Sequence, residues 1–233
     1  MYSILEHYLS TNHILMIGMI VTFILTFFLL EHPFSFLPSD QGRAFAVNGS
    51  LSKGKLRGVG FIFVLCFLIS SVLFLPIDVE YVIYAILLFA MMISGYLDDA
   101  SKTPWNEYKK GLIDLVISIV AVLTYMNFNS TTICFGADEI VIPKALFLIL
   151  GVILIWVSVN VTNCTDGVDG LCASLCSVTL LAFGVLFAPI LQKYAMANFL
   201  FLSVLFAYLY FNSSPSSMLM GDAGSRALGF YIA

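Results

Sequence analysis

Repeated runs of apolar residues, each long enough to cross a lipid bilayer, limit what this chain can fold into. A membrane-spanning helix needs about 20 mostly apolar residues. A helix is favoured because it satisfies its backbone polar groups internally. Seven runs qualify, at residues 13–31, 59–75, 81–97, 111–127, 144–162, 171–189 and 197–212. The sequence therefore predicts an all-α fold, a polytopic transmembrane helical bundle with about seven complete spans.

The last apolar run is different, because it begins after Arg226 and meets the final residue, Ala233, within about two helical turns. A helix of that length cannot span a bilayer, so we expect C-terminal truncation and further spans beyond Ala233. Nothing in the sequence suits a separate soluble domain, so residues 1–233 are predicted to form one integral membrane domain. Within segment 127–143, alternating apolar residues predict a small β-hairpin.

Composition supports a membrane protein and excludes several other classes. Only 10% of residues are charged and 61% are hydrophobic, whereas soluble domains carry about 25% charged residues. A net charge of −4 gives no sign of a nucleic-acid partner. The five cysteines are odd in number and lie mostly in or beside apolar runs, which argues against a disulfide framework.

The distribution of basic residues predicts which side of the membrane each loop faces. Positively charged residues concentrate in cytoplasmic loops. One set of alternating loops carries Arg43, Lys53, Lys55, Arg57, Lys102, Lys109, Lys110 and Arg226, and the other carries Lys144 and Lys193. The first set is therefore predicted to be cytoplasmic and the N-terminus to lie outside.

The same alternation places five aspartates on the cytoplasmic side: Asp98, Asp99, Asp166, Asp169 and Asp222. Neighbouring carboxylates near a low-dielectric boundary repel unless a cation lies between them. Mg²⁺ usually binds one or two carboxylates together with substrate phosphates. We therefore expect the partners of these acids to be a divalent metal and a polar substrate rather than nearby protein cations. A solvated acidic helix end at "GYLDDASK" is the open alternative.

The stretch "NCTDGVDG" carries polar groups at regular intervals. If it begins a helix, Asn163, Asp166 and Asp169 share one face, and Gly167 and Gly170 let a ligand approach the backbone closely. These groups suit recognition of a nucleoside or sugar. The alternative is an ordinary turn between two spans, since Asn, Asp and Gly are all turn residues.

Two further segments contain charged residues whose role can be interpreted in two ways. In "MGDAGSRALGF", Asp222 lies between glycines, which suggests a nest for phosphate or metal. Arg226 then either pairs with a phosphate or anchors its helix at the lipid headgroups. In the first cytoplasmic loop, Lys53, Lys55 and Arg57 either fix membrane orientation or hold an anionic substrate.

Taken in order, "GYLDDASK", "NCTDGVDGL" and "MGDAGSRALGF" resemble the polyprenyl-phosphate N-acetylhexosamine-1-phosphate transferases. Within that superfamily the chain is most similar to the phospho-N-acetylmuramoyl-pentapeptide transferases of peptidoglycan synthesis. The resemblance implies a Mg²⁺-dependent phosphotransferase in the bacterial cytoplasmic membrane, with its active site facing the cytoplasm. The implied substrates are undecaprenyl phosphate and UDP-N-acetylmuramoyl-pentapeptide or another UDP-amino sugar, and the products are lipid I and UMP.

The resemblance also implies roles for particular residues. Asp98 and Asp99 match the paired acids, one of which positions or deprotonates the lipid phosphate, and Asp222 matches the catalytic, metal-binding acid. Asn163, with Asp166, lies near metal and phosphate by the same resemblance, and Asp169 with Gly167 and Gly170 contacts uracil. Lys102 and Lys109 are similar to the residues that hold the pyrophosphate.

Other functions stay open at this point. A sister transferase would load N-acetylglucosamine-1-phosphate for teichoic acid or surface polysaccharide. A cation transporter also uses intramembrane acids, although transport favours acids in the middle of spans. An inactive fragment and a homodimer are further open possibilities.

Overall fold

The predicted helical bundle is confirmed in a computed structural model, which describes residues 1–32, 34–40, 42, 52–135 and 138–233. Arg43, counted above among the cytoplasmic basic residues, lies outside the described residues. Within the described part, the helices are α1 (Tyr2–Leu5), α2 (Thr11–Glu31), α3 (Gly60–Phe74), α4 (Val79–Asp99), α5 (Glu107–Phe128), α6 (Lys144–Thr165), α7 (Leu171–Phe187), α8 (Gln192–Asn212) and α9 (Gly221–Ile232).

Each of the seven predicted spans corresponds to one helix, α2 to α8. Five of them, α2, α4, α5, α6 and α8, are long and apolar enough to cross a membrane, with 21 or 22 residues each. The other two, α3 and α7, have 15 and 17 residues. They are shorter than the roughly 20 residues that a full crossing needs.

The predicted hairpin is also confirmed. Strand β1 (Thr132–Phe135) pairs antiparallel with β2 (Asp138–Val141) in the connection between α5 and α6. Residues 136–137, between the strands, lie outside the described part of the chain.

Helix starts follow from capping residues in the sequence. Asp78 precedes α4 and accepts a hydrogen bond from the backbone N–H of Tyr81 at 2.8 Å. Asn106 precedes α5 and accepts one from the N–H of Lys109 at 2.8 Å. Both side chains satisfy a backbone donor that the first turn of a helix leaves without a partner.

Helices α8 and α9 form the centre of the bundle. Most of α8 is buried, and α9 is buried from Gly221 to Phe230. Helix α9 packs most extensively on α4 and α6 and also contacts α3 and α7. The sequence interpretation of this segment was therefore wrong in one respect, because the helix begins at Gly221, not after Arg226, so Asp222 and Arg226 both belong to it.

Helix α4 approaches α9 closely because Gly95 has no side chain. A Cβ atom at Gly95 would lie 2.5 Å from the carbonyl carbon of Asp222 and 2.6 Å from the backbone nitrogen of Ala223. These distances are far inside ordinary van der Waals contact. The glycine thus brings the beginning of α9 against the last turn of α4, which ends in Asp98 and Asp99.

Candidate functional site

Four segments that are distant in sequence meet at one end of the bundle. They are the C-terminal turn of α4, the N-terminal turn of α5, the N-terminal turn of α9 and the loop before α3. Their charged side chains form an acid cluster, defined here as Asp98, Asp99 and Asp222 with Arg57 and Lys110.

Asp98 is held from both of its oxygens. Its Oδ1 accepts a hydrogen bond from the backbone N–H of Trp105 at 2.6 Å, and its Oδ2 lies 2.6 Å from Nζ of Lys110. Its side chain is 4% exposed. The Trp105 contact ties the connection between α4 and α5 to the acid, which fixes the direction in which Asp98 presents its charge.

Asp99 is more deeply buried, with no exposed side-chain surface. Its Oδ1 accepts from Nε of Arg57 at 2.8 Å, and its Oδ2 accepts the backbone N–H of Ala223 at 3.0 Å. The second bond satisfies a free donor at the start of α9, where the helix dipole also favours a negative charge. Asp99 therefore caps α9 from a neighbouring helix.

Gly221 makes room for this cap. Its φ of +66° lies in the left-handed region, which costs little only for glycine. A Cβ there would also lie 2.9 Å from Cγ of Asp99. Both the backbone conformation and the space require glycine directly before Asp222.

Asp222 joins the two cations of the cluster. Its Oδ2 accepts from Nζ of Lys110 at 3.0 Å, and its Oδ1 lies 3.5 Å from Nη2 of Arg57. Its side chain is 11% exposed, more than that of Asp98 or Asp99. Of the three acids, Asp222 is thus the one that an incoming ligand reaches most easily.

Arg57 holds the loop before α3 against the cluster. Besides Asp99 and Asp222, its Nη1 lies 3.4 Å from Oδ1 of the buried Asp40, which also accepts from the hydroxyl of Ser52. Burial acts to lower the pKa of Arg57, but the three carboxylates around it raise the pKa above its ordinary value. The guanidinium is therefore a permanent positive charge at this position.

These contacts correct one expectation from the sequence. The acids were expected to lack protein cations as partners, whereas the structure pairs them with Arg57 and Lys110. Arg57 and Asp99 are 42 positions apart in sequence, and Lys110 and Asp222 are 112 apart. The local sequence around each acid therefore could not reveal its cation. The signal available was weak, namely the adjacent lysines Lys109 and Lys110 at the start of a largely apolar span, which do not show which of the two reaches the acids.

A second polar group surrounds Asp169. Its Oδ2 accepts the backbone N–H of Ser216 at 3.0 Å and lies 3.9 Å from Nζ of Lys55. Lys55 also donates to the hydroxyl of Ser216 at 2.8 Å. The N–H of Gly170 donates to Oδ1 of Asn212 at 3.1 Å. The "DG" pair of the second motif is thus anchored to the end of α8 and to the loop between α8 and α9.

The loop before α3 links the two groups. Leu56 forms backbone bridges with Ser39 and Met218, and its carbonyl accepts the N–H of Leu219 at 2.8 Å. Residues at positions i and i+2 of an extended segment point to the same side. Lys55 and Arg57 have this spacing, and they reach Asp169 and Asp99, respectively. Neither interpretation of this loop foresaw these contacts, which attach Lys55 and Arg57 to acidic side chains of the protein itself; its role towards a substrate stays a prediction.

The helical interpretation of "NCTDGVDG" is wrong. Helix α6 ends at Thr165, Asp166 is its C-terminal cap residue, and α7 begins only at Leu171. Asn163 lies in the last turn of α6, and Asp169 lies in the turn between the helices, so the three polar residues do not share a helix face. Glycines and acids at 166–170 make the turn that the alternative interpretation expected. The metal role of Asn163 stays a prediction.

The two lysines chosen from the sequence lie outside the acid cluster. Lys102 is exposed, and Nζ of the exposed Lys109 lies 3.2 Å from the centre of the Trp105 ring, a cation–π contact. The lysine that reaches the acids is Lys110. The assignment of Lys102 and Lys109 to the pyrophosphate stays a prediction.

Arg226 does not anchor α9 at the headgroups, as one interpretation expected. Its side chain is 2% exposed and donates to Oδ1 of Asp114 on α5, which is 3% exposed. Sequence reasoning did not single out Asp114, which lies four residues after Lys110 on the same helix.

Among the residues that the structure describes, no group of three or more His, Cys, Asp or Glu side chains is placed to hold a metal ion. The donor chemistry nevertheless suits Mg²⁺, because this ion prefers oxygen ligands and needs only one or two carboxylates beside substrate phosphates and water. Asp222 offers such a carboxylate at the most accessible point of the acid cluster.

Comparison with known proteins agrees with this arrangement. The model for "Glycosyl transferase family 4" matches residues 81–233. The chain is 34% identical to the phospho-N-acetylmuramoyl-pentapeptide-transferase of Treponema pallidum, over 93% of this chain and 66% of that protein. Proteins of the same name are 27% identical in Dictyoglomus turgidum, over 95% of this chain and 73% of the relative, and 32% identical in Microcystis aeruginosa, over 75% and 51%.

The chain thus spans 66% of the length of the Treponema relative. The family match runs from the start of α4 to the last residue and includes all three acids of the cluster. Three features of this chain are consistent with the family match. They are the membrane-spanning helices, the three motifs in order, and the position of the acids of these motifs at one end of the bundle. On these grounds, the chain belongs to glycosyl transferase family 4.

Proposed function

We propose that this protein transfers a phospho-amino sugar from UDP to a polyprenyl phosphate at the membrane surface. The specific reaction proposed is transfer of phospho-N-acetylmuramoyl-pentapeptide to undecaprenyl phosphate, which yields lipid I and UMP. The observation that carries the proposal is the acid cluster, in which two cations lie among three carboxylates at the end of apolar helices. The names of the relatives support the choice of substrate.

The reaction brings two anions together, so the site must offset their charge. An oxygen of the lipid phosphate attacks the sugar-linked phosphorus of the UDP-sugar, a new P–O bond forms, and the bond to UMP breaks. Both phosphates are negatively charged, so positive groups must offset their repulsion. Arg57 and Lys110 supply two such groups, each held in position by carboxylates. Because the cluster contains three acids, a further cation is needed for it to be positive towards the phosphates.

The three acids have different surroundings and therefore different proposed roles. Asp99 uses both oxygens in bonds to Arg57 and the start of α9, so it positions Arg57 and Asp222. Asp98 also uses both oxygens and positions Lys110, but its side chain is 4% exposed whereas that of Asp99 is fully buried, so Asp98 is the acid proposed to orient or deprotonate the lipid phosphate. Asp222 is the proposed metal ligand because it is the most accessible. When bound, Mg²⁺ would offset negative charge on the phosphates of the nucleotide sugar.

We propose that this end of the bundle faces the cytoplasm. The basic residues that predicted sidedness include Arg57 and Lys110, and both lie in the acid cluster. The opposite end carries the hairpin and polar contacts such as Asn129 to Glu80 at 2.7 Å. A cytoplasmic site would meet soluble UDP-sugars directly. Single cysteines introduced near each end, labelled with a membrane-impermeant reagent in intact cells, test this orientation.

The transferase proposal is tested with purified protein, expressed from the whole reading frame that encodes this chain. UMP release and the lipid product are measured with undecaprenyl phosphate and either UDP-N-acetylmuramoyl-pentapeptide or UDP-N-acetylglucosamine. Turnover with the first sugar is expected. Turnover with only the second would assign the sister reaction, and turnover with neither would contradict the transferase proposal.

A further inference from the structure

A buried ion pair lies one helical turn from the acid cluster. Arg226 on α9 pairs with Asp114 on α5, and the two side chains are 2% and 3% exposed. The Nη1 atom of Arg226 has no hydrogen-bond partner among the described residues. Burying such a pair has a large desolvation cost, so the pair is weak evidence for stability by itself. Its position beside the acid cluster points to a second role.

The pair repeats the charge pattern of the acid cluster with opposite polarity. On α5, Lys110 precedes Asp114 by four residues, and on α9, Asp222 precedes Arg226 by four. Residues four apart lie on the same face of a helix. The structure joins these faces across the helices, with Lys110 bound to Asp222 at 3.0 Å and Arg226 bound to Asp114.

Each charge therefore has a competing partner on its own helix. An acid four residues before a base is the favourable order for a pair within one helix, and Asp222 and Arg226 have that order. If Asp114 did not hold Arg226, the guanidinium would turn towards Asp222. It would then compete for Asp222, which binds Lys110 and is the proposed metal ligand.

We propose that Asp114 and Arg226 are positioning residues that keep Asp222 available to Lys110 and the substrate. Asp114 binds the arginine, and the arginine in turn keeps Asp114 from drawing Lys110 out of the cluster. The expected loss of turnover in these variants rests on the proposed transferase function. Whether Lys110 pairs with Asp222 or with Asp114 does not depend on that function. The two can therefore be tested separately.

The first test measures the chemical reactivity of Lys110 in the full chain in detergent. An amine-reactive ester is added, and labelling is followed by peptide mass spectrometry, with exposed Lys102 as internal reference. In Asp114→Leu, Lys110 should label several-fold faster because Arg226 would replace it at Asp222, so that of its two carboxylate partners only Asp98 is left. In Arg226→Leu, it should label more slowly because it turns towards the buried Asp114. Asp114→Asn repeats the first arm with less change in shape.

The double variant Asp114→Leu/Arg226→Leu removes both competitors and should return Lys110 to the labelling rate of the natural protein. Removing both partners of a buried pair is often neutral for folding, whereas removing one is not. The double variant therefore keeps the test possible if a single variant does not fold. Two results would overturn the positioning proposal. One is a labelling rate of Lys110 that is as high in the double variant as in Asp114→Leu, and the other is a rate that is the same in every variant and in the natural protein.

The second test measures turnover in the same variants. Each single variant should lower kcat by roughly tenfold, the scale on which neighbouring coupled residues act, while KM for the nucleotide sugar stays unchanged. Arg226→Lys should recover most of the loss because it retains the charge. A double variant as slow as the slower single variant would show a merely structural role and contradict the proposal. Absence of turnover in the natural protein would contradict the transferase function and leave the labelling result to decide the positioning role.

Discussion

The contact between Gly95 and the start of α9 offers a direct test of how the acid cluster is assembled. We predict that Gly95→Ala strongly lowers the rate of the proposed transfer although it adds only one methyl group. The new Cβ would lie 2.5 Å from the carbonyl carbon of Asp222 and 2.6 Å from the nitrogen of Ala223. Both are backbone atoms, so no side chain can rotate away to relieve the overlap.

The size of the effect follows from these distances. Carbon atoms pack at about 3.5 Å, so α4 and α9 must separate by about 1 Å. Misplacement of reacting groups by about 1 Å can lower a rate by a factor of about 10². Overpacking of this kind also costs about 1–3 kcal/mol of folding stability. Gly95→Ala should therefore lower kcat by about 10²-fold and lower the midpoint of thermal unfolding.

Gly111→Ala is the matched control, because it makes the same change in a helix on the other side of the site. Within the described part of the chain, a Cβ at Gly111 would meet only the side chain of Trp156, at 3.8 Å and beyond. Alanine is also the better helix former, by about 1 kcal/mol. UMP release and thermal unfolding in detergent are measured for both variants. If Gly95→Ala kept the activity of Gly111→Ala, the close approach of α4 and α9 would not position Asp222.

Three other predictions concern charge. Lys110→Met should lower kcat by about 10²–10³-fold, the loss seen when one group that stabilises developing charge is removed; Lys110→Arg should retain more activity, and equal loss in both would refute a role for charge. Chelation with EDTA should abolish UMP release and added Mg²⁺ should restore it, whereas activity indifferent to EDTA would remove the metal from the proposal. Asp78→Ala should cost about 1 kcal/mol, the usual contribution of a helix cap. Although burial acts to raise the pKa of Asp78, hydrogen bonds from Lys193 and from a backbone N–H lower it overall. Its contribution is therefore present above the unfolded pKa of about 4 and lost as pH falls through the lower folded value. Unfolding midpoints measured below and above about pH 4 should then differ less in Asp78→Ala than in the natural protein.

The positions of single residues were only partly predictable from the motifs. Asp98, Asp99 and Asp222 were predicted to meet, and they do, because loop alternation in a membrane fixes the end of the bundle at which each acid lies. Which cation each acid would bind was not predictable. Lys109 and Lys110 are neighbours in sequence, but only Lys110 faces the acids, while Lys109 lies over Trp105.

The sequence by itself determined the helices and the end of the bundle at which each acid lies. Apolar runs of bilayer length can only be helices in lipid, and the order of the runs then assigns each loop to one end. The tertiary structure alone decided that Arg57 pairs with Asp99, that Asp99 caps α9, and that Arg226 is buried against Asp114. These contacts depend on helix rotation and on close approach at glycines such as Gly95, which are set by packing between segments distant in sequence.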